Sequence, residues 1–257
     1  HVALAVAAEG GVTRPRRLRE EGALRVRFPN AAPRALEAVL VNTAGGVAGG
    51  DRFGFDLALG LDAAVTVTTA AAEKVYRSPG AAARMAVRLT LSAGARLAWL
   101  PQETIVFEAA RFERTIDVNL SEGARLVLAE AVVFGRAAMG ETVETGRLVD
   151  RWRVRRAGRL VFADTLRLEG AIARKLGEAA IARGGIAMAT VVMAPGGEGD
   201  VEAMRAVSGR LAGEMGVSSW NGLCVARLVA AAGAALRADM AVLLSALGVP
   251  VPRLWVM

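Results

Sequence analysis

The sequence predicts a mainly β fold: an irregular β-helix-like, stacked-sheet body carrying two α-helices near the C-terminus. Three observations predict it. Apolar and polar residues alternate with a two-residue period in short runs from about residue 34 to 170, the runs recur about every thirty residues, and helical spacing takes over only later. The chain of 257 residues is 54% hydrophobic, which is ample for a substantial core, and all of it is read as one domain.

The strand signals come in order as VTVTT (65 to 69), MAVRLTL, RLAWL, TIDVNL, RLVLAE, DRWRVRR and RLVFADTLRL, separated by Gly, Asp, Ser or Pro. In DRWRVRR the alternation sends Arg151, Arg153 and Arg155 to one side and Trp152 and Val154 to the other, as in a half-buried strand. LTLSAGARLAWL, VNLSEGARLVLAE and VRRAGRLVFAD share a strand–turn–strand frame, and LALGLDAAVTVTT fits it loosely. The frame matches Val65, Leu97, Leu126 and Leu160, so stacked β-units are expected. A mixed part follows over about 185 to 257. GIAMATVVMAP and NGLCVARLVA read as strands, and 201 to 216 and 236 to 248 read as helices.

Several chemistries are excluded by inventory. The segment NTAGGVAGGD has P-loop glycine spacing from Gly45 to Gly50, but Asp51 and Arg52 stand where lysine and a hydroxyl belong, and strand rather than helix follows. Glycines that supply positive φ or close backbone approach at a strand junction are the better reading. His1 is the only histidine, at a chain end where disorder is the default, so no Ser-His-Asp triad, Cys-His pair or His-rich metal site can be built. Cys224 is the only cysteine and shares strand parity with Ala226 and Leu228, so it reads as a small core hydrophobe; with no partner for a disulfide, a reducing cytoplasm is expected. Neither a signal peptide nor a membrane span is read. The +7 charge is spread along the chain as arginine, with Lys74 and Lys175 the only lysines and Tyr76 the only tyrosine, which argues against nucleic acid as partner. Long small-residue stretches such as VAAAGAAL suggest a surface normally covered by another chain.

Carboxylates survive this elimination. On the repeat frame Glu130 follows Leu126 and Leu128, and Asp164 follows Leu160 and Phe162, at equivalent ends of two apolar faces. An inward carboxylate must be paired, hydrated or neutralised. Three readings stay open: a structural pair with arginine, a hydrated passage for a cation, or a general acid and base. The third allows a β-solenoid polysaccharide hydrolase or lyase, although 5% aromatic content is low for a sugar groove.

NTAGGVAGGD, AAAEKVYRS, WLPQETIVF, EAVVFGRAAMGE, RLVFADTLRLEG and the closing PRLW, in this order across most of the chain, resemble the urease accessory protein family called UreD or UreH. The resemblance implies a non-enzymatic scaffold and metallochaperone component. It would dock UreF and, through UreF, the GTPase UreG onto apo-urease, as a dimer of heterocomplexes, with nickel(II) in transit and no tightly bound cofactor. It also implies an interior route for the metal. Asp51 lines that route, the close-packed glycines Gly45, Gly46, Gly49 and Gly50 lie beside it, and Glu73, Glu130 and Asp164 fall at positions the family associates with it; Glu103 and Glu141 are further candidates. From the residues themselves, one histidine and one cysteine cannot make a tight nickel site of nitrogen and sulfur ligands, and oxygen ligands bind nickel weakly, as a conduit requires.

Overall fold

The computed structural model describes residues 1–29 and 35–255, so residue 34, the expected start of the repeat body, and the last two residues of the mixed part lie outside it. The chain opens with β1 (Val2–Glu9), β2 (Val12–Glu20) and β3 (Leu24–Arg27). These precede the region in which the alternation is legible. In β1 the buried Val2, Leu4 and Val6 alternate with Ala3, Ala5 and Ala7, and alanine gives little polar contrast to reveal the period. His1 is not frayed: its carbonyl accepts the Glu21 N–H at 2.8 Å, and its Nε2 lies 2.9 Å from Asp56 Oδ2. The adjoining strand, not the chain end, decides its order.

From β4 (Leu36–Asn42) the chain winds between two facing sheets. β5 (Arg52–Leu59) lies in one, β6 (Ala64–Thr69) in the other, and β7 (Glu73–Val75) in a short third stack. The strands β8 (Ala83–Leu91), β9 (Arg96–Trp99) and β10 (Thr104–Val106) repeat this circuit, and β11 (Arg111–Leu120) and β12 (Arg125–Phe134) begin it again. Successive circuits pair in parallel. The register sets Val65 beside Leu97 and Leu97 beside Leu126, so three of the four repeat units are true structural equivalents. The fourth is not. β13 (Thr145–Arg156) joins the first sheet in parallel with β11, and β14 (Arg159–Ala171) folds back antiparallel on it, with a register shift at Val154/Arg155. Leu160 is therefore 48% exposed in the first sheet instead of stacking on Leu126 in the second. A hairpin has replaced the solenoid turn, and two-residue parity alone cannot distinguish the two.

The rest of the chain caps the second sheet. After the short α1 (Ile172–Gly177), which lies between the repeat body and the mixed part, come β15 (Ala187–Ala194), α2 (Glu198–Ala206), β16 (Glu214–Trp220), β17 (Leu223–Ala230) and α3 (Gly233–Ala246). The second helix and both strands read here from sequence are present. The first helix is shorter than expected: it stops at Ala206, and residues 214 to 220 pair with β17 as strand. Ser208, Gly209 and Gly213 weaken helix in this stretch, and a Cβ at Gly213 would collide with the Val229 carbonyl, so the backbone packs too closely for another residue.

The sheets run in the orders β14-β13-β11-β8-β5-β1-β2 and β16-β17-β15-β12-β9-β6-β4-β3, with β10 and β7 attached to the second through β12. Their inner faces enclose one core, where Leu57, Leu89, Val118 and Val154 of the first sheet share a cluster with Val67, Leu97, Leu128 and Val192 of the second. On its other side the second sheet presents Ala129, Ala131, Ala189 and Ala226 to Met204, Leu236, Met240 and Leu243 of the helices. These alanines allow the helices to pack closely, so β12 is buried on both faces. Among the described residues no helix is long and apolar enough to cross a membrane.

Candidate functional site

At the β12–β13 end of the sandwich, charge is buried between the sheets. Arg114 of β11 and Asp150 of β13 are direct neighbours in the parallel register, and both point inward. The guanidinium donates from Nε to Asp150 Oδ1 at 3.0 Å and from Nη2 to Oδ2 at 2.6 Å, the forked geometry that suits a carboxylate. Nη1 reaches across the core to Glu130 Oε2, and Trp99 Nε1 donates to Glu130 Oε1 at 2.8 Å. Arg114 is 2% exposed, Glu130 and Asp150 5% each. Burial opposes the Arg114 charge, but Asp150 and Glu130 outweigh it and raise its pKa. Burial lifts the Glu130 carboxyl above its ordinary range, against the lowering effects of Arg114 and Trp99. With both carboxylates ionised, this trio has one surplus negative charge.

The trio faces a cavity of about 420 Å³ that Asp164 and Arg227 also line. Asp164 sits nearer solvent, accepting from Arg227 Nη2 at 3.0 Å and from the Thr165 N–H at 2.9 Å. Glu130 and Asp164 thus share a cavity, but not as equivalents of stacked units: they approach it from opposite sheets. Glu73 belongs to a second cavity, of about 210 Å³, lined also by Asn42 and Phe55. Asn42 Nδ2 lies 3.1 Å from both Glu73 oxygens, and burial raises the Glu73 pKa against that bond. Between the cavities stand Phe55, which lines the second, and Trp99, whose indole holds Glu130. The rings meet edge to face, 6.4 Å between centroids.

Asp51 lies in neither cavity lining. Its Oδ2 accepts the Ala48 N–H at 2.8 Å and closes the glycine turn, while its carbonyl accepts the Arg84 N–H. The glycines behave as their spacing suggests. Gly45 and Gly50 have φ of 76° and 88°; a Cβ on Gly46 would strike the Tyr76 ring, and one on Gly49 the Ser78 hydroxyl. Strand β5 follows immediately. Glu103 and Glu141 lie elsewhere. Glu103 accepts from Arg237 of α3, and Glu141 from Arg136, whose hydrogen bond holds the Glu141 carboxyl below the usual range. Glu103, Arg136 and Arg237 line an apolar groove of about 680 Å³ beside α3, with the 72%-exposed Met139 on its rim. Cys224 is buried with its thiol pushed up to about 11 by burial, so it packs and does not react.

Four of the six candidate carboxylates therefore accept from an arginine, while Asp51 and Glu73 are held by a backbone N–H and an amide. Sequence reasoning overlooked Arg114 and Asp150. A signal existed: Arg114 shares parity with Phe112, Ile116 and Val118, and Asp150 with Leu148, Trp152 and Val154, so both place charge on an apolar face. Among the described residues no group of three or more His, Cys, Asp or Glu side chains is placed to hold a metal ion.

The family model described as UreD urease accessory protein matches residues 1–256. The chain is 54% identical over 251 residues to the urease accessory protein UreD of Rhodopseudomonas palustris strain HaA2, covering 97% of this chain and 90% of the relative. It is likewise 54% identical over 250 residues to the urease accessory protein UreD of Bradyrhizobium diazoefficiens, covering 97% and 91%.

Proposed function

The chain belongs to the UreD family of urease accessory proteins, and from that premise we propose that it is a non-enzymatic scaffold in urease maturation. It docks UreF, and through UreF the GTPase UreG, onto apo-urease in a dimer of heterocomplexes, and it gives nickel(II) a route through its β body. The cytoplasm is the compartment we assign. The observation that carries the route is the pair of cavities on either side of Phe55 and Trp99, each with a buried or half-buried carboxylate, Glu130 in one and Glu73 in the other. Burial that raises a carboxyl pKa also makes its ionised form seek a cation, and linings without histidine or cysteine let nickel leave again. Docking is supported by the apolar groove beside α3, whose rim carries an exposed methionine, a side chain that adapts to partner surfaces.

On this proposal nickel enters past Asp51 and Glu73, crosses when the aromatic pair shifts, and leaves past Glu130 and Asp164; Glu103 and Glu141 serve the docking groove. Co-expression of Glu130→Gln and Asp51→Ala variants with urease and the accessory partners tests it. Complex recovery and the nickel content of purified urease are measured side by side. Normal recovery with poorly loaded urease is expected. Nickel loading that stays normal in both variants, or falls only as far as recovery falls, removes the passage and leaves the scaffold.

A further inference from the structure

The outward face of the first sheet is strongly cationic. Outward positions of β5, β8, β11, β13 and β14 carry nine arginines and four carboxylates, a surplus of five positive charges out of the +7 of the whole chain. Each of the carboxylates already has an arginine beside it. Asp56 pairs with Arg88, Glu113 with Arg84 and Arg147, Asp117 with Arg155, and Glu169 with Arg147. Among the described residues Arg52, Arg111, Arg151 and Arg153 have no acidic partner, and Arg151 and Arg153 project side by side from β13.

No element among the described residues covers this face. Within the described residues α2 and α3 pack on the second sheet, and α1 lies against β13 and β14 with Ile172 and Leu176 turned into the core. Four of the exposed strands pair in parallel, and parallel sheets are ordinarily covered on both faces. Arginine is the side chain that grips carboxylates in a fixed fork.

We propose that this face is a docking surface for an acidic face of the urease apoprotein; the proposal rests on the scaffold function above. The register favours a protein over nucleic acid. One row runs Arg153, Asp117, Arg88, Asp56 across four strands, so a phosphate backbone lying there would meet two carboxylates, whereas a protein of mixed charge can match the alternation and gain orientation from it. These outward positions also hold no aromatic ring on which a base could stack.

The test is association of purified protein, with its accessory partner, to apo-urease across salt concentrations. Wild type is compared with Arg151→Glu/Arg153→Glu, and with Arg205→Glu/Arg210→Glu, on and just after α2, as a charge-matched control in the helical layer. Since neither β13 arginine has an ion-pair partner among the described residues, reversal orphans no buried group, and an unchanged melting curve verifies folding. The double variant should associate about tenfold more slowly or worse at low salt, with the gap closing as salt screens the charges. Arg205→Glu/Arg210→Glu should stay within about twofold of wild type. Equal association of wild type and the double variant overturns the docking face but leaves the scaffold, as does equal loss in the control. Displacement of apo-urease from the face by a short DNA duplex at physiological salt overturns it in favour of nucleic acid. Wild type that never associates with apo-urease overturns the scaffold function itself, and the docking face with it.

Discussion

Replacing Arg114 by methionine removes the only cation from a cluster that would keep two buried carboxylates. Methionine keeps much of the side-chain volume, so the cavity term is small and the electrostatic term dominates. Arg114 donates twice to Asp150, at 3.0 and 2.6 Å, and once to Glu130, and all three residues are at most 5% exposed. Removing one partner of a buried ion pair costs about 3–5 kcal/mol, chiefly through the charge left behind. Here two charges are left, so Arg114→Met should reach the upper part of that range near neutral pH, a large share of the roughly 5–15 kcal/mol that holds a domain folded. The stranded carboxyls will have raised pKa values, and a group raised in the folded state is tolerated below its unfolded pKa and destabilises as pH rises through its folded pKa. The loss must therefore shrink as pH is lowered from about 7 towards 4.5. Urea unfolding followed by tryptophan fluorescence measures it, and adding Glu130→Gln and Asp150→Asn to the variant should recover more than half. A loss under about 1 kcal/mol at neutral pH, or one that does not change with pH, would refute the view that Arg114 balances buried charge.

Two further outcomes are expected. Gly49→Ala should destabilise by about 1–3 kcal/mol, because its Cβ has no room beside the Ser78 hydroxyl and the Ala81 carbonyl, while Gly80→Ala, which meets open space, should cost far less; thermal melts compare the pair. Glu73→Gln should melt higher than wild type near neutral pH, and the gap should narrow as pH falls towards 4.5, since burial raises the Glu73 pKa and its ionised form opposes folding. A gap that widens on acidification reverses the assigned sign.

The sequence by itself determined what depends on near neighbours along the chain. Two-residue parity placed Trp152 and Val154 inside and Arg151, Arg153 and Arg155 on the opposite side, buried Cys224, and put Glu130 on an apolar face, all as found. Glycine spacing without the lysine of a phosphate loop marked a tight turn before a strand, and the thirty-residue recurrence gave the three stacked units at Val65, Leu97 and Leu126. It determined less where composition hides the pattern, as in alanine-rich β1, or where parity is indifferent to topology, as at Leu160. Only the tertiary structure decided which charges meet. Arg114 finds Asp150 through the register of two parallel strands and Glu130 across the gap between two sheets; Asp164 finds Arg227 from the opposite sheet; the cationic face exists because five strands align their outward rows. Parity states that a side chain points inward but not what it will meet there. The partner is set by long-range register and by how the sheets face each other, and a buried charge is tolerable only where that arrangement supplies its counter-charge.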